Sequence, residues 1–117
     1  MGALTLVIQD PPYRPGDKAW HALRFAGAVL ADGSEVRVFF LSDGVLGARR
    51  EQTVPEGKED VQALLRELMG VGLEVYACGR CLTLCCVDEG ELMDGVKRGS
   101  MKILAGLVGS SNHVLTF

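Results

Sequence analysis

The sequence lacks the features that direct a chain into a membrane, out of the cell or onto a nucleic acid. No apolar run reaches the about 18 residues of a membrane-spanning helix. The first residues carry neither the basic region nor the cleavage site of a signal peptide. Basic residues are scattered along a chain whose formal net charge is only −3, so no positive surface for nucleic acid or anionic lipid is expected. We therefore expect a cytoplasmic protein with neither a nucleic-acid partner nor a membrane partner.

Signatures of nucleotide binding and of serine hydrolases are also absent. The chain has no G-x-G-x-x-G that opens a helix, no G-x-x-x-x-G-K-[ST] and no serine in a G-x-S-x-G turn. Only two histidines occur, His21 and His113, and neither lies at ligand spacing from the cysteines. We expect no metal site and no bound cofactor.

The composition is that of one globular domain. Of 117 residues, 48% are hydrophobic and 23% are charged, which is enough for one core and too little for two. No internal repeat or linker divides the chain, so residues 1–117 are expected to form a single domain. The mean hydropathy of +0.21 leaves more apolar surface than one small core needs, which favours an oligomer.

Short apolar runs alternate along the chain with helical patterns. Four runs favour β-strands and lie at Leu4–Gln9, Glu35–Leu41, Leu73–Ala77 and His113–Phe117. Helices are predicted after the N-cap Asp17 as far as Gly33, over Val61–Met69, from Cys78 onwards, over Glu89–Val96, and from the N-cap Ser100 to Val108.

This alternation is typical of βαβ units. We predict an α/β three-layer sandwich with a mainly parallel sheet of about five strands and with helices on both faces. The unbroken apolar character of Leu4–Gln9 predicts an interior strand that is covered on both sides.

All four cysteines lie within nine positions, at Cys78, Cys81, Cys85 and Cys86. If the chain passes from strand to helix at Cys78, this thiol stands where unsatisfied N–H groups and the helix macrodipole favour the thiolate. Arg80 adds a positive charge two residues later. In the cytoplasm such a cluster is more often catalytic, redox-active or metal-binding than a structural disulfide. Cys78 and Cys81 are therefore the candidate reactive residues.

A helix that continued through this segment would place the four cysteines on one face, at i, i+3, i+7 and i+8. Cys85 and Cys86 would then lie a turn or more inside the helix, which favours a place in the core over a place in the site. We expect iodoacetamide to react first with Cys78, next with Cys81 and slowly with the other two, because access and thiolate fraction should both fall along the helix.

Polar segments follow the predicted strands at their carboxyl ends. Gln9-Asp10 follows the first strand, Ser42-Asp43-Gly44 follows the second and Cys78–Cys81 follows the third. Because the carboxyl ends of parallel strands meet at one edge, where α/β sheets bind ligands, we expect the three segments to converge. The candidate supporting residues are Asp10, Asp43, Gly44, Gly79 and Arg80.

The segment Ala77-Cys78-Gly79-Arg80-Cys81-Leu82 resembles the DsrE/DsrF-like sulfur-relay family, which has the YchN-like fold and includes TusD. The similarity runs over nearly the whole chain and includes Ser42-Asp43-Gly44-Val45, Gly95-Val96-Lys97, Gly99-Ser100-Met101 and the terminal Val114-Leu115-Thr116-Phe117. The chain departs from the family where relatives commonly have Arg-Gly, because Cys85-Cys86 stand there instead.

The resemblance implies an intracellular protein that carries sulfane sulfur as a cysteine persulfide between a donor protein and an acceptor protein. By position the persulfide would form on Cys78, with Cys81 as the second cysteine. The resemblance also implies a homo-oligomer, a trimer or hexamer, with a dimer as a further alternative. Such a protein would be a sulfurtransferase-like carrier rather than an independent turnover enzyme.

Three other functions fit the same cysteines. The spacing Cys78-Gly79-Arg80-Cys81 at a helix start is typical of a dithiol oxidoreductase, although all four prolines lie upstream, whereas thioredoxin-like proteins use one downstream. Three or four thiolates could bind a metal, but cysteines on one helical face do not readily surround a tetrahedral ion. The last alternative is a non-catalytic subunit of an oligomeric relay complex, in which the cysteines are inert.

Overall fold

In a computed structural model that describes residues 2–117, five parallel strands form one sheet. Met1, which the one-domain prediction includes, lies outside the described residues. The strands are β1 (Ala3–Ile8), β2 (Glu35–Phe40), β3 (Glu74–Cys78), β4 (Val96–Gly99) and β5 (His113–Thr116). The helices are α1 (Lys18–Ala31), α2 (Val61–Gly70), α3 (Gly79–Leu84) and α4 (Met101–Gly109). Two 3₁₀ segments, Ser42–Ala48 and Glu89–Glu91, lie in the connections.

The strand order is β4-β3-β2-β1-β5, and every neighbouring pair is parallel. β1 lies in the interior of this sheet, where Leu6 pairs with Val38 of β2 on one side and with Leu115 of β5 on the other. All six residues of β1 are buried, as expected for a strand with helices over both faces. The predicted α/β fold and the interior position of the first strand are confirmed.

The two faces of the sheet carry different helices, because successive side chains of a strand point to opposite sides. Leu4 lies with Phe25 and Val29 of α1, and α2 packs beside α1. Thr5 points the other way, and its hydroxyl donates to the carbonyl of Leu107 in α4 at 3.5 Å. α1 and α2 therefore cover one face and α4 covers the other.

The α4 side of the sheet is incompletely covered. All four residues of β5 are exposed, and Leu107 is the one buried residue of α4, a helix that the structure describes in full. We define the α4–β5 surface by its exposed apolar side chains. These are Met101 at 59%, Ile103 at 38%, Val108 at 41% and Val114 at 39% exposure.

The helix predicted over Glu89–Val96 is wrong. A single 3₁₀ turn covers Glu89–Glu91, where the N–H of Asp88 donates to the Glu91 carboxylate at 3.0 Å. Gly95, with φ of 92°, then directs the chain into β4. β4 was missed because Lys97 and Arg98 have little strand preference, yet charged residues are common on edge strands, where they discourage pairing with other chains.

The helix caps are partly confirmed. The hydroxyl of Ser100 accepts from the N–H of Ile103 at 3.2 Å, as predicted for the N-cap of α4. Asp17 was predicted to cap α1, but its backbone is left-handed, with φ of 55°, and its side chain makes no cap hydrogen bond. No helix in the described part of the chain is long and apolar enough to cross a bilayer.

Candidate functional site

Cys78 lies at the carboxyl edge of the sheet, where β3 ends and α3 begins, which confirms the predicted passage from strand to helix. Its backbone pairs with Gly99 of β4. The residue is 3% exposed and belongs to the hydrophobic core. Its Sγ accepts a hydrogen bond from the N–H of Cys81 at 3.4 Å. The thiol is thus both buried and contacted by a backbone donor.

Cys81 is half-buried and contacts two groups at the same edge. Its Sγ accepts from the backbone N–H of Ser42 at 3.2 Å. Burial has the largest effect and raises the pKa of the Cys81 thiol, the neighbouring Cys78 thiol raises it further, and the Ser42 N–H lowers it. Cys81 is therefore mainly a neutral thiol near pH 7, and the Ser42 N–H is the contact that favours its anion.

Ser42 holds an unusual backbone conformation that sets the direction of this N–H. Its φ is 53°, a left-handed conformation that costs a non-glycine residue about 1–2 kcal/mol. Such strain persists where the surrounding packing enforces it, and it is common at functional sites.

Gly44 provides the packing that enforces the Ser42 turn. A Cβ at Gly44 would overlap the carbonyl oxygen of Ile8 at the end of β1. The same carbonyl accepts from the N–H of Leu41 at 2.9 Å. Only glycine lets the 3₁₀ segment Ser42–Ala48 approach β1 this closely, so Gly44 acts on the site by positioning Ser42.

The three segments that were expected to converge do so only in part. The Ser42 N–H reaches Cys81, and the negative charge of Asp43 adds to burial in raising the pKa of the Cys85 thiol. The Asp43 carboxylate also lies 3.7 Å from Arg14 Nη2, in a pair whose side chains are more than half exposed. Asp10 is half-buried after β1 and has no hydrogen bond or ion pair with a cysteine among residues 2–117.

A cation that the sequence pattern did not reveal, Arg98, lies against the start of α3. Arg80 is exposed and makes no ion pair within the described residues. Arg98 of β4 lies over Gly79 instead, because a Cβ at Gly79 would stand 2.6 Å from Arg98 Nε and 2.7 Å from Cζ. Arg98 also pairs with Glu89 at 3.8 Å, with both side chains largely exposed, so that ion pair is weak.

Finding Arg98 from the sequence requires recognition of β4 as a strand. The register of β4 with β3 then places Arg98 opposite Ala77 and Gly99 opposite Cys78. The residues Lys97-Arg98-Gly99 gave no such signal, since charged residues and glycine are depleted in strands.

The helix does not continue through the cysteine segment. α3 ends at Leu84, the N–H of Cys86 donates to Thr83 at 3.1 Å, and that of Val87 donates to Leu82 at 2.9 Å. These are the two bonds of a Schellman motif, in which the residue after the C-cap is left-handed. Here that residue is Cys86, with φ of 57°. Since glycine usually occupies this position, a cysteine here does not indicate the end of a helix.

Two predictions about the cysteines are consequently wrong. Cys86 does not share a helical face with the others and is exposed rather than in the core, whereas Cys85 follows Cys81 by one helical turn and is half-buried against the core. The predicted order, in which Cys78 is the most accessible thiol and accessibility falls along the segment, is also reversed. Cys78 is the most buried of the four because it ends an inner strand, whereas the chain turns outward after Leu84.

All four cysteines are free thiols. Among residues 2–117, no group of three or more Cys, His, Asp or Glu side chains is placed to hold a metal ion. His21 and His113 are exposed on α1 and β5. The chemistry available at this edge is therefore that of thiols and backbone N–H groups.

Comparison with known proteins assigns the chain to a family. Residues 2–117 match the model of the DsrE/DsrF-like family. The uncharacterized protein MJ0989 of Methanocaldococcus jannaschii is 35% identical over 113 residues, which cover 97% of each chain. Protein YchN of Escherichia coli is 30% identical over 119 residues, which cover both chains fully.

Further relatives agree with this assignment. A sulfurtransferase TusD homolog of Pseudomonas aeruginosa is 40% identical over 76 residues, which cover 63% of this chain and 56% of that protein. The crystal structure of E. coli YchN superposes with a TM-score of 0.90 at 29% identity and covers both chains fully. The chain belongs to the DsrE/DsrF-like family.

Proposed function

We propose that this protein carries sulfane sulfur as a persulfide on Cys78 between a donor protein and an acceptor protein. One observation supports this function above the others: two neighbouring sulfur atoms each accept a backbone N–H, from Cys81 to Cys78 at 3.4 Å and from Ser42 to Cys81 at 3.2 Å. Hydrogen bonds strengthen when the acceptor is an anion, and a persulfide anion extends one sulfur atom beyond Sγ. The name of the Pseudomonas relative, a sulfurtransferase homolog, agrees with this role.

The burial of Cys78 supports storage of the sulfur. A persulfide in solution is consumed by other thiols through exchange at the S–S bond, at a rate that depends on access. At 3% exposure, Cys78 is sheltered from small thiols in the surrounding solution. A carrier needs such shelter between its two encounters.

The transfer step is an exchange without net oxidation or reduction. The Cys78 thiolate attacks the outer sulfur of a donor persulfide, the new Cys78–sulfur bond forms, and the donor S–S bond breaks. The donor leaves as a thiolate, and the proton of Cys78 passes to solvent. An acceptor thiolate later attacks the terminal sulfur of Cys78 and regenerates the Cys78 thiolate. No cofactor enters this scheme, in which the chain acts as a sulfurtransferase-like carrier.

A second candidate function is that of a dithiol oxidoreductase. The closeness of Cys81 to Cys78, whose Sγ accepts the Cys81 N–H at 3.4 Å, favours it, because two adjacent thiols can close a disulfide. Reduction of a disulfide substrate in an NADPH-coupled assay, with Cys78 and Cys81 joined in the product, would support this alternative. A carrier gives no turnover in that assay.

The partners and setting follow from the same proposal. Donor and acceptor proteins would meet the chain in the cytoplasm, where thiols stay reduced. The α4–β5 surface is a candidate contact between copies in a homo-oligomer, because apolar side chains exposed together commonly mark an interface. Ile103→Glu should then reduce the mass measured by light scattering at micromolar concentration. A monomeric wild-type protein would contradict the oligomer.

Peptide mapping after sulfur loading tests the carrier function. Trypsin cleaves after Arg66, Arg80 and Lys97, so Cys78 falls in peptide 67–80 and the other three cysteines fall in peptide 81–97. The protein is treated with inorganic polysulfide, the donor is removed, and the thiols are alkylated. We expect one retained sulfur atom on peptide 67–80.

The experiment compares one test variant with one control variant. Cys78→Ser should retain no sulfur after removal of the donor, whereas Cys86→Ser, which removes an exposed thiol, should load like the wild type. Sulfur retained in wild-type amount by Cys78→Ser would show that another residue carries it.

A further inference from the structure

The proposed carrier thiol presents little surface to a partner protein. Transfer requires the attacking, transferred and leaving sulfur atoms to approach a line, so the donor must come within bonding distance of the receiving thiol. Cys78 is 3% exposed, and Cys81 is half-buried beneath the Ser42 turn. The sulfur therefore needs a thiol closer to the surface.

Cys85 is half-buried and lies next to the exposed Cys86, where the chain reaches the surface. Its N–H donates to the carbonyl of Cys81 at 2.9 Å, so the two residues are one helical turn apart. Side chains at i and i+4 are neighbours, with Cβ atoms about 5–6 Å apart. Cys81 in turn contacts Cys78 through its N–H. The three thiols thus form a continuous series of neighbours from the sheet edge to the end of α3.

Exposure increases from the inner end of the cysteine segment at Cys78 to its outer end at Cys86. Cys78 is buried, Cys81 and Cys85 are half-buried, and the chain emerges at Cys86. Leu84, beside Cys85, is 68% exposed and offers an apolar contact next to the outer thiol.

We propose, on the basis of the carrier function above, that Cys85 is the outer exchange thiol and passes sulfane sulfur through Cys81 to Cys78. The Cys85 thiolate attacks the outer sulfur of the donor persulfide, and the donor leaves as a thiolate. The Cys81 thiolate attacks the sulfur now on Cys85 and releases the Cys85 thiolate. Cys78 then takes the sulfur from Cys81 in the same way. Each step forms one S–S bond and breaks one, so no oxidant or reductant is required.

The resting state of the two outer thiols agrees with this role. Burial raises the pKa of both Cys81 and Cys85, and the negative charge of Asp43 raises that of Cys85 further. Both are mainly neutral near pH 7, which limits side reactions between transfers. Cys86 is exposed but lies in the left-handed turn, beyond the i+4 position from Cys81, and provides a matched control.

The test uses glutathione persulfide as the sulfur donor with the full chain. Samples are quenched with an alkylating reagent at intervals and digested with trypsin. Peptide 67–80 reports Cys78, and fragmentation of peptide 81–97 separates Cys81, Cys85 and Cys86. Cys85→Ala is expected to slow the loading of Cys78 at least about tenfold, since direct attack then depends on a less accessible thiol. Cys86→Ala should load at the wild-type rate, and Cys81→Ala should accumulate sulfur on Cys85.

The possible outcomes distinguish failure of the relay alone from failure of the carrier function. Wild-type loading of Cys78 in Cys85→Ala or in Cys81→Ala would overturn the relay and leave the carrier function standing. Absence of sulfur from Cys78 in the wild type would overturn both. Cys85→Ser, with an unchanged melting temperature, repeats the test without loss of side-chain volume, and normal loading in that variant would also overturn the relay.

Discussion

Cys78 and Cys86 stand at the two ends of one short segment, and their surroundings differ completely. Cys78 ends an inner strand, is 3% exposed, and accepts a backbone hydrogen bond at its sulfur. Cys86 lies after the helix, is exposed, and has a left-handed backbone. The sheet edge and the helix end, rather than the residue type, determine what each thiol can do. In the proposed carrier, the buried inner end would shelter a reactive sulfur, whereas the thiol at the outer end is open to reagents in solution.

Gly44→Ala should have the largest effect and destabilise the fold around the inner end, where Cys78 lies. The added Cβ would overlap the Ile8 carbonyl, which is backbone and cannot move cheaply, so we expect a loss of about 3 kcal/mol in the free energy of unfolding. Urea denaturation measures it. Gly90→Ala is the control, because nothing lies within 4 Å of a Cβ there. Equal stability of the two variants would show that the turn does not depend on this close approach.

Alkylation of the native protein compares the two ends directly. Iodoacetamide should modify Cys86 first, then Cys85 and Cys81, and Cys78 last, by more than about tenfold, because reaction requires access as well as thiolate. In denaturant the four rates should become similar. Peptide mapping over time gives the order, and early labelling of Cys78 in the folded chain would contradict its shelter.

The pH dependence of Cys85 alkylation sharpens the comparison further. Burial and then Asp43 raise the pKa of Cys85, so its thiolate fraction is below that of free cysteine at neutral pH and keeps rising above pH about 8.5. Asp43→Asn removes a negative charge, which lowers the pKa and should speed alkylation near pH 7 about twofold at low salt, with less effect at high salt. Asp94→Asn is the control. An unchanged pH profile in Asp43→Asn would mean that the carboxylate does not act on this thiol.

Cys86→Gly should produce the smallest effect, a gain in stability. Relief of a left-handed strain of about 1–2 kcal/mol is offset in part by the greater freedom of glycine in the unfolded chain, which leaves roughly 0.5 kcal/mol. Cys85→Gly, where φ is −89°, should instead destabilise by about 0.5–1 kcal/mol. Thermal unfolding of the two variants distinguishes them, and a loss of stability in Cys86→Gly would argue against the Schellman turn.

Most of the fold could be predicted from local patterns in the sequence. β1, β2 and β3 could be recognised because apolar runs are bounded by glycine and proline, and the position of Cys78 followed from the passage between strand and helix. β4 could not be recognised, because pairing with β3 rather than its own residues makes Val96–Gly99 a strand.

The site was less predictable than the fold. Contacts between distant segments, such as Ser42 with Cys81 and Arg98 with Gly79, depend on register and close backbone approach. The end of α3 depends on Cys86 in a conformation that usually belongs to glycine. These features have no periodic signal, and they decided which thiols are sheltered and which are accessible.

The lifetime of bound sulfur tests the carrier function most directly. The protein is loaded with polysulfide, the donor is removed, reduced glutathione is added in excess, and the extra sulfur on peptides 67–80 and 81–97 is followed over time. We predict that sulfur on peptide 67–80, which contains Cys78, outlasts sulfur on peptide 81–97. Equal loss from the two peptides, or retention on peptide 81–97 alone, would contradict storage of sulfur at Cys78.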